Sequence, residues 1–192
     1  MAGTPDFFRF TICGIPELGS HCEAAVTHIL SILDPDCPDP PEFEDYAPHR
    51  RLALRFHDII DPMPGRSLPT RDDVVRLLAF GHEVSDAEAC HLLVHCHAGV
   101  SRSTAATALI LAQAHPGLPA REVLDAVSRI RPRAWPNLRI LEFGDDLLGR
   151  NGEIVTAASL IYRRVLDREP YLQEVMIENG RSREVTAALS VR

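Results

Sequence analysis

Short hydrophobic runs alternate with longer stretches of helical spacing along this chain. Short runs that are apolar, or that alternate apolar with polar residues, are typical of strands. Four such runs are predicted as strands, at residues 8–13, 28–33, 51–57 and 91–95. Seven stretches are predicted as helices, at residues 16–27, 70 onwards, 103–114, 121–130, 137–148, 154–168 and 171–189. Strands that alternate with helices predict an α/β fold with a central, mostly parallel sheet and helices on both faces.

Two segments lack both periodicities and are predicted as loops. Residues 34–49 are rich in Pro, Asp and Glu and should form an exposed acidic loop. Residues 58–69 contain three prolines and one glycine, which indicates a loop of some length before the next helix. That helix is predicted to begin after Thr70, because Thr70 and Asp73 have the spacing of a capping box.

Length and composition are those of an ordinary globular protein. The chain has 192 residues, of which 45% are hydrophobic and 24% charged, and this predicts one domain over residues 1–192. The longest apolar run, around 105–112, is too short to span a bilayer. The first residues lack the basic and apolar segments of a secretory signal. We therefore expect a cytoplasmic protein without a membrane partner.

The charged residues narrow the function further. A net charge of −7 argues against a nucleic-acid partner. All 20 basic residues are Arg, so chemistry that needs Lys is excluded, including Schiff bases and the lysine-bearing phosphate sites of ATPases and kinases. An anion site in this chain must therefore use Arg, His or backbone N–H groups.

The segment His95-Cys-His-Ala-Gly-Val-Ser-Arg-Ser103 combines the groups that an anion site needs. It joins a predicted strand to a predicted helix, so its backbone N–H groups lie at a helix N-terminus, where an anion is favoured. Five residues separate Cys96 from Arg102, enough for a loop that surrounds a phosphate, and Gly99 allows the chain to turn. The guanidinium of Arg102 can bind two phosphate oxygens.

The same positive environment favours the thiolate form of Cys96, which is the nucleophilic form. We therefore expect Cys96 to attack phosphorus and form a cysteinyl-phosphate intermediate, with Ser103 as a hydrogen-bond donor to the sulfur when it leaves. The leaving oxygen needs a proton, and the loop at 58–69 offers Asp58 and Asp61. Asp58 is preferred because it follows a strand end, and Asp61 is the second candidate.

The strand, the HCxxGxxRS segment and the helix resemble the signature of the Cys-dependent protein tyrosine phosphatase superfamily. The spacing of elements is most similar to its compact, dual-specificity-like, bacterial-type branch. The strand at 28–33 and the segment Pro136-Asn-Leu-Arg-Ile-Leu extend the resemblance, which covers residues 8–150. Residues 151–192 would be a helical C-terminal extension. The acid loop lacks the Trp-Pro-Asp opening of the tyrosine-specific enzymes.

The resemblance implies a role for each residue of the site. The nucleophile, the phosphate clamp, the general acid and the leaving-group helper would be Cys96, Arg102, Asp58 and Ser103, in that order. Phosphate would be bound by backbone N–H groups of the loop, those of His97, Ala98, Gly99, Val100, Ser101 and Arg102. His95 would lie behind the sulfur, and Asn137 would support the loop. The family needs no metal and no organic cofactor.

The implied activity is hydrolysis of phosphotyrosine, with phosphoserine and phosphothreonine as further substrates. The partner would be a phosphorylated protein or a small phosphomonoester. Two alternatives stay open. A phosphoinositide or other small-molecule phosphatase would be expected to carry Lys in the loop, which has none, and a binding module without turnover would usually lack the Cys or the Arg. A metal site at His91, His95, Cys96 and His97 is not expected, because consecutive residues do not converge easily on one ion.

Overall fold

Four strands form one fully parallel sheet in the structure, a computed structural model that describes residues 8–87 and 89–191. The strands are β1 (Arg9–Gly14), β2 (His28–Leu33), β3 (Arg50–Arg55) and β4 (His91–Cys96). Their order across the sheet is β1-β4-β2-β3, so β4 lies between β1 and β2. The parallel sheet confirms the prediction from the sequence.

Helices make up most of the remaining structure. The α-helices are α1 (Arg71–Ser85), α2 (Arg102–Ala114), α3 (Ala120–Ile130), α4 (Leu138–Leu147), α5 (Glu153–Arg168), α6 (Leu172–Glu178) and α7 (Ser182–Ser190). Two short 3₁₀ helices, Ile15–His21 and Pro41–Asp45, lie in the connections before and after β2. None of the helices in the described ranges combines the length and the apolar character that a membrane-crossing helix needs.

Helices cover both faces of the sheet, but they do so unequally. Side chains that alternate along the strands divide the core into two parts. Ile12 of β1 and Leu92 of β4 face the larger part, in which the α-helices pack. Cys13 and Leu93 face the smaller part, which the 3₁₀ helices cover through residues such as Leu18. The prediction of helices on both faces is confirmed, with the α-helices gathered on one of them.

The last helices pack on the same hydrophobic core as the segment that precedes them. Ile154 and Tyr162 of α5 and Val185 of α7 are buried in its larger part. Tyr162 stacks on Trp135 with ring centroids 4.7 Å apart. This packing holds α5 and α7 against the larger part of the core.

Two predicted elements in the first quarter of the chain differ from the structure. The helix expected at 16–27 is a 3₁₀ helix that ends at His21, and Ala25 has a left-handed φ of 53°, which no right-handed helix accommodates. The loop expected at 34–49 contains the second 3₁₀ helix and a buried residue, Tyr46. The acidic segment is therefore partly packed on the sheet and not wholly exposed.

The helix predicted at 171–189 is two helices, because Gly180 has a φ of 73° and a left-handed residue ends a right-handed helix. The start of α1 is as predicted. The Thr70 hydroxyl accepts a hydrogen bond from the Asp73 N–H at 3.2 Å, and the Asp73 carboxylate accepts one from the Thr70 N–H at 2.9 Å. The other predicted strands and helices are confirmed, with ends that shift by one or two residues.

The carboxyl ends of all four strands lie at one edge of the sheet because the strands are parallel. Gly14 ends β1, Cys96 ends β4, and Asp34 directly follows β2. Asp58 lies shortly after the end of β3. Open α/β sheets bind ligands at this edge, and here it brings together a thiol and two carboxylates from distant parts of the chain.

Candidate active site

The loop of residues 97–101, called the phosphate loop below, crosses the carboxyl edge of the sheet between β4 and α2. Gly99 has a left-handed φ of 68°, and a Cβ atom there would lie 2.5 Å from the carbonyl carbon of Cys13. A Cβ atom at Gly14 would lie 2.8 Å from the carbonyl oxygen of His97. Two glycines therefore allow the loop to lie directly against the end of β1.

The phosphate loop presents unpaired backbone donors. The N–H groups of residues 98–101 donate to no other group within the described residues. They directly precede α2, which adds the positive end of a helix dipole. Free backbone N–H groups at a helix N-terminus form a binding site for phosphate and other anions.

Cys96 lies at the base of the phosphate loop and is 2% exposed. Its Sγ is 3.2 Å from the hydroxyl oxygen of Ser103, which lies in the first turn of α2 and is fully buried. The structure therefore brings the predicted nucleophile into contact with the hydroxyl that was predicted to assist it. All five cysteines of the chain are free thiols.

Arg102 is buried, with one edge of its guanidinium anchored and another unpaired. Nη1 donates to Asp34 Oδ1 at 2.6 Å and to the carbonyl oxygen of Phe56 at 2.7 Å. Nε is buried without any hydrogen-bond partner in the part of the chain that the structure describes. A buried N–H without a partner costs free energy, so this donor is expected to be satisfied by a bound acceptor.

His97 is the neighbour of Asp34 across the mouth of the phosphate loop. The Asp34 N–H donates to His97 Nε2 at 3.3 Å, and Asp34 Oδ1 lies 3.5 Å from the same nitrogen. Partial burial and the charge of Arg102 lower the pKa of His97. A neutral imidazole can accept the Asp34 N–H at Nε2.

His95 lies below the loop, with its side chain directed to the smaller part of the core. It is fully buried, its Nε2 is 2.6 Å from the hydroxyl oxygen of Ser31, and its ring lies 5.4 Å from that of Phe43. Burial lowers the pKa of His95 to about 4, so this imidazole is neutral at physiological pH. Its predicted influence on Cys96 stays a prediction.

Asp58 reaches the phosphate loop, and three donors converge on one of its oxygens. Oδ1 accepts hydrogen bonds from Ser101 Oγ at 2.8 Å, from Asn137 Nδ2 at 2.9 Å and from Arg181 Nη1 at 3.2 Å. Oδ2 has no partner within the described residues. The side chain of Asp58 is 31% exposed, so one oxygen is fixed while the other is free to meet a substrate.

Asp61, the second candidate acid, lies elsewhere. Its carboxylate pairs with Arg183 at 3.2 Å, and its side chain is 48% exposed. It makes no contact with the phosphate loop, and it does not line the cleft above that loop. The structure therefore brings Asp58, and not Asp61, into contact with the phosphate loop.

Asn137 has two structural roles at once. Its Oδ1 accepts a hydrogen bond from the Ile140 N–H at 3.1 Å and caps α4. Its Nδ2 donates to Asp58, and its backbone N–H donates to the carbonyl oxygen of Ser101 at 3.2 Å. The predicted support of the phosphate loop thus comes from the backbone, whereas the side chain holds the candidate acid.

A cleft of about 500 Å³ opens beside Asp34, Asp58 and Arg102. Its lining includes residues near the phosphate loop, among them Asp34, Asp58, Arg66 and Arg102. It also includes residues of the C-terminal segment, among them Met176 and Arg181. No cluster of three His, Cys, Asp or Glu side chains within the described residues is arranged to hold a metal ion.

Two residues of the site were missed in the sequence. Asp34 lies at the start of the acidic loop, and it could have been found because it follows a predicted strand at the same edge as Asp58. Arg181 comes from the C-terminal extension and carries no local signal. Its contact with Asp58 spans 123 positions of sequence.

The parallel sheet and the loop that joins β4 to α2 belong to a fold that the chain shares with solved phosphatase structures, human DUSP28 and Tk-PTP among them. The resemblance seen in the sequence is therefore confirmed at the level of the fold. No protein-family model matches the chain, and no curated protein matches it. Solved structures do resemble the fold of this chain.

Human DUSP28 has a TM-score of 0.54 and 20% identity, over 73% of this chain and 94% of its own. Tk-PTP in its active form has a TM-score of 0.53 and 22% identity, over 78% of this chain and 99% of its own. PTPMT1 in complex with PI(5)P has a TM-score of 0.50 and 17% identity, over 74% of this chain and 94% of its own.

Proposed function

We propose that this protein is a phosphatase that hydrolyses phosphomonoesters of proteins, phosphotyrosine above all, through a cysteinyl-phosphate on Cys96. The observation that carries the proposal is the set of unpaired donors around the thiol. Free N–H groups at residues 98–101 and the unpartnered, buried Nε of Arg102 would be satisfied together by one tetrahedral phosphate. The fold shared with phosphatases supports this interpretation.

In the first step, the Cys96 thiolate attacks phosphorus and an S–P bond forms. The P–O bond to the leaving group breaks, and its electron pair stays on the leaving oxygen. That oxygen takes the proton from Asp58 Oδ2, the oxygen that the three donors leave free. The backbone donors and Arg102 stabilise the negative charge on the other phosphate oxygens.

In the second step, water attacks phosphorus and Asp58, now a carboxylate, takes a proton from it. The S–P bond breaks, and the electron pair returns to sulfur as the thiolate. Ser103 Oγ, at 3.2 Å from the sulfur, is in position to stabilise that thiolate with a hydrogen bond. Inorganic phosphate and the original thiolate are then restored.

A phosphoinositide substrate is the second candidate, since PTPMT1 has this fold and was solved with PI(5)P. The cleft offers few cations for additional phosphates. Arg181 already contacts Glu184, Asp58 and Ser101, which leaves Arg66 as the free guanidinium among the described residues of the cleft lining. We therefore favour a phosphoprotein, and comparing kcat/KM for a phosphotyrosine peptide and for PI(5)P in micelles decides between the two.

The activity itself is tested with purified protein, an aryl phosphate and a chelator. We expect turnover without added metal, and we expect Cys96→Ser to lower kcat by at least about 10⁴-fold while thermal unfolding stays cooperative. Cys37→Ser is the matched control, because the Cys37 thiol donates to the carbonyl oxygen of Pro38 and makes no contact with the phosphate loop among the described residues, so kcat should be unchanged. Undiminished turnover in Cys96→Ser would rule out the proposed nucleophile.

A further inference from the structure

The C-terminal segment reaches the candidate acid through one buried side chain. Arg181 lies directly before α7 and is 5% exposed. Its Nη1 donates to Asp58 Oδ1 at 3.2 Å, and its Nη2 donates to Ser101 Oγ at 3.0 Å. The Ser101 hydroxyl in turn donates to the same Asp58 oxygen at 2.8 Å. One guanidinium therefore contacts both the acid and the phosphate loop.

The other edge of this guanidinium is held by Glu184, which is fully buried. Nε and Nη2 of Arg181 donate to the two carboxylate oxygens, each at 2.7 Å. Glu184 also accepts from the indole N–H of Trp135 at 2.5 Å and from the backbone N–H of Leu138 at 2.9 Å. Because Glu184 is fixed by α4 and its flanking turn, Arg181 is held in a single orientation.

We propose that Arg181 is a positioning residue for the general acid, holding Asp58 Oδ1 to the phosphate loop so that Oδ2 faces the leaving group. The inference rests on the proposed phosphatase function. It makes the segment after α5 part of the site, since a chain that lacked Arg181 would keep the thiol and the clamp but lose one of the three anchors of the acid. An ammonium group is a single point of contact and cannot serve both edges at once.

Arg183 provides a matched control on the same helix. It pairs with Asp61 at 3.2 Å and with Glu142, and its side chain is 42% exposed. It therefore joins α7 to the same 58–69 loop without touching Asp58 or the phosphate loop. An effect that came only from attaching α7 to that loop would be seen with either arginine.

The test compares kcat/KM, which reports the first step and not hydrolysis of the intermediate, on phenyl phosphate, whose leaving group needs a proton, and on para-nitrophenyl phosphate, whose leaving group needs little help. We expect Arg181→Lys to lower the first by about 10- to 100-fold and the second by less than about 3-fold. Arg183→Lys should leave kcat/KM unchanged on both substrates, and therefore also the ratio of the two values. Thermal unfolding checks that Arg181→Lys is folded. A second variant combines Arg181→Gln with Glu184→Gln, so that neither residue leaves an unpaired buried charge. This double variant should show the same selective loss.

A double-mutant cycle with Asp58→Asn separates this inference from the proposed function. If Arg181 acts through Asp58, Arg181→Lys should cost little more on phenyl phosphate once Asp58 is Asn. Equal losses on both substrates, or the same loss in both backgrounds, would overturn the positioning role while Asp58→Asn alone still showed its selective effect. If Asp58→Asn alone left the leaving-group dependence unchanged, the acid assignment would fail and the role of Arg181 would fail with it.

Discussion

The phosphate loop and the C-terminal segment support the same carboxylate, but they are built in different ways. The loop is one contiguous stretch whose backbone N–H groups are left unpaired as potential donors to an anion, and Gly99 allows it to lie against β1. The C-terminal segment acts through a buried ion pair, Arg181 with Glu184, whose partner Asp58 lies 123 positions away in sequence. One region depends on local backbone geometry and the other on tertiary packing.

This difference predicts two kinetic signatures. In the proposed mechanism, groups of the phosphate loop bind the phosphoryl group, which is common to all substrates, so their loss should affect every substrate alike. In the first step, groups that hold the acid affect only the proton given to the leaving oxygen, so the effect of their loss on kcat/KM should depend on the leaving group. Substitutions on either side can therefore be told apart by rate measurements.

A large effect on both substrates is expected for Arg102→Lys. Nη1 is engaged by Asp34 and by the carbonyl oxygen of Phe56, while Nε remains for phosphate. A single ammonium cannot take both positions, so we expect kcat/KM to fall by at least about 10³-fold on phenyl phosphate and on para-nitrophenyl phosphate alike.

Arg71→Lys is the control for this substitution, because Arg71 forms an exposed pair with Asp146 outside the cleft. Steady-state kinetics on both phosphates are the measurement. Near-normal rates in Arg102→Lys, or a loss confined to the poor leaving group, would mean that Arg102 does not clamp phosphate and would remove the distinction between the two regions.

The phosphate loop could be predicted from the sequence because its chemistry is contiguous. Cys96, Gly99, Arg102 and Ser103 stand in fixed spacing between an apolar strand and an Ala-rich helix, and the strand itself is signalled by its hydrophobic run. Such a pattern can be recognised in the sequence because all of its residues belong to one strand, loop and helix that follow each other along the chain.

The support of the acid could not be predicted in this way. Arg181 and Glu184 have the spacing of an ordinary solvated pair on a helix surface, yet both are buried. Their burial follows from the break at Gly180, which turns α7 back onto α5, and the helical periodicity of 171–189 gave no sign of that break. Charged side chains acquire such roles only through packing, which a sequence pattern does not record.

The choice between Asp58 and Asp61 sharpens the comparison further. Asp58→Asn should lower kcat/KM on phenyl phosphate by about 10² to 10⁴-fold and remove the fall in rate at high pH, because the proton donor is gone. On para-nitrophenyl phosphate, most of the loss should be masked. Asp61→Asn, which removes only an exposed pair with Arg183, should leave both rates nearly unchanged.

These outcomes are measured as kcat/KM on the two phosphates across a pH series. A selective loss in Asp61→Asn together with normal rates in Asp58→Asn would transfer the acid role to Asp61. The contacts of Asp58 with Ser101, Asn137 and Arg181 would then be structural only.

A smaller effect concerns stability, at the base of the phosphate loop. Burial lowers the pKa of His95 from 6.5 to about 4, so the unfolded chain takes up this proton at a higher pH than the folded protein does. Stability from the neutral, buried His95 is therefore fully present above about pH 6.5 and is lost as the pH falls towards 4, by up to roughly 3 kcal/mol.

Urea unfolding at pH 7 and pH 4.5 measures this loss in the wild-type chain and in His95→Gln, where we expect the fall in stability to be smaller. His82→Gln, at an exposed position of α1, is the control for a His-to-Gln exchange as such. An unchanged pH dependence in His95→Gln would show that His95 does not resist protonation in the folded state.

The covalent intermediate tests the central claim most directly. Asp58→Asn should form the cysteinyl-phosphate readily from para-nitrophenyl phosphate, and it should hydrolyse it slowly because the base for water is missing. Rapid quenching followed by peptide mass spectrometry should then find one phosphoryl group per chain, on Cys96, and none in the variant that also carries Cys96→Ser. Turnover without any phosphoryl-protein, or a phosphoryl group on His97 or another residue, would contradict the mechanism proposed for this site.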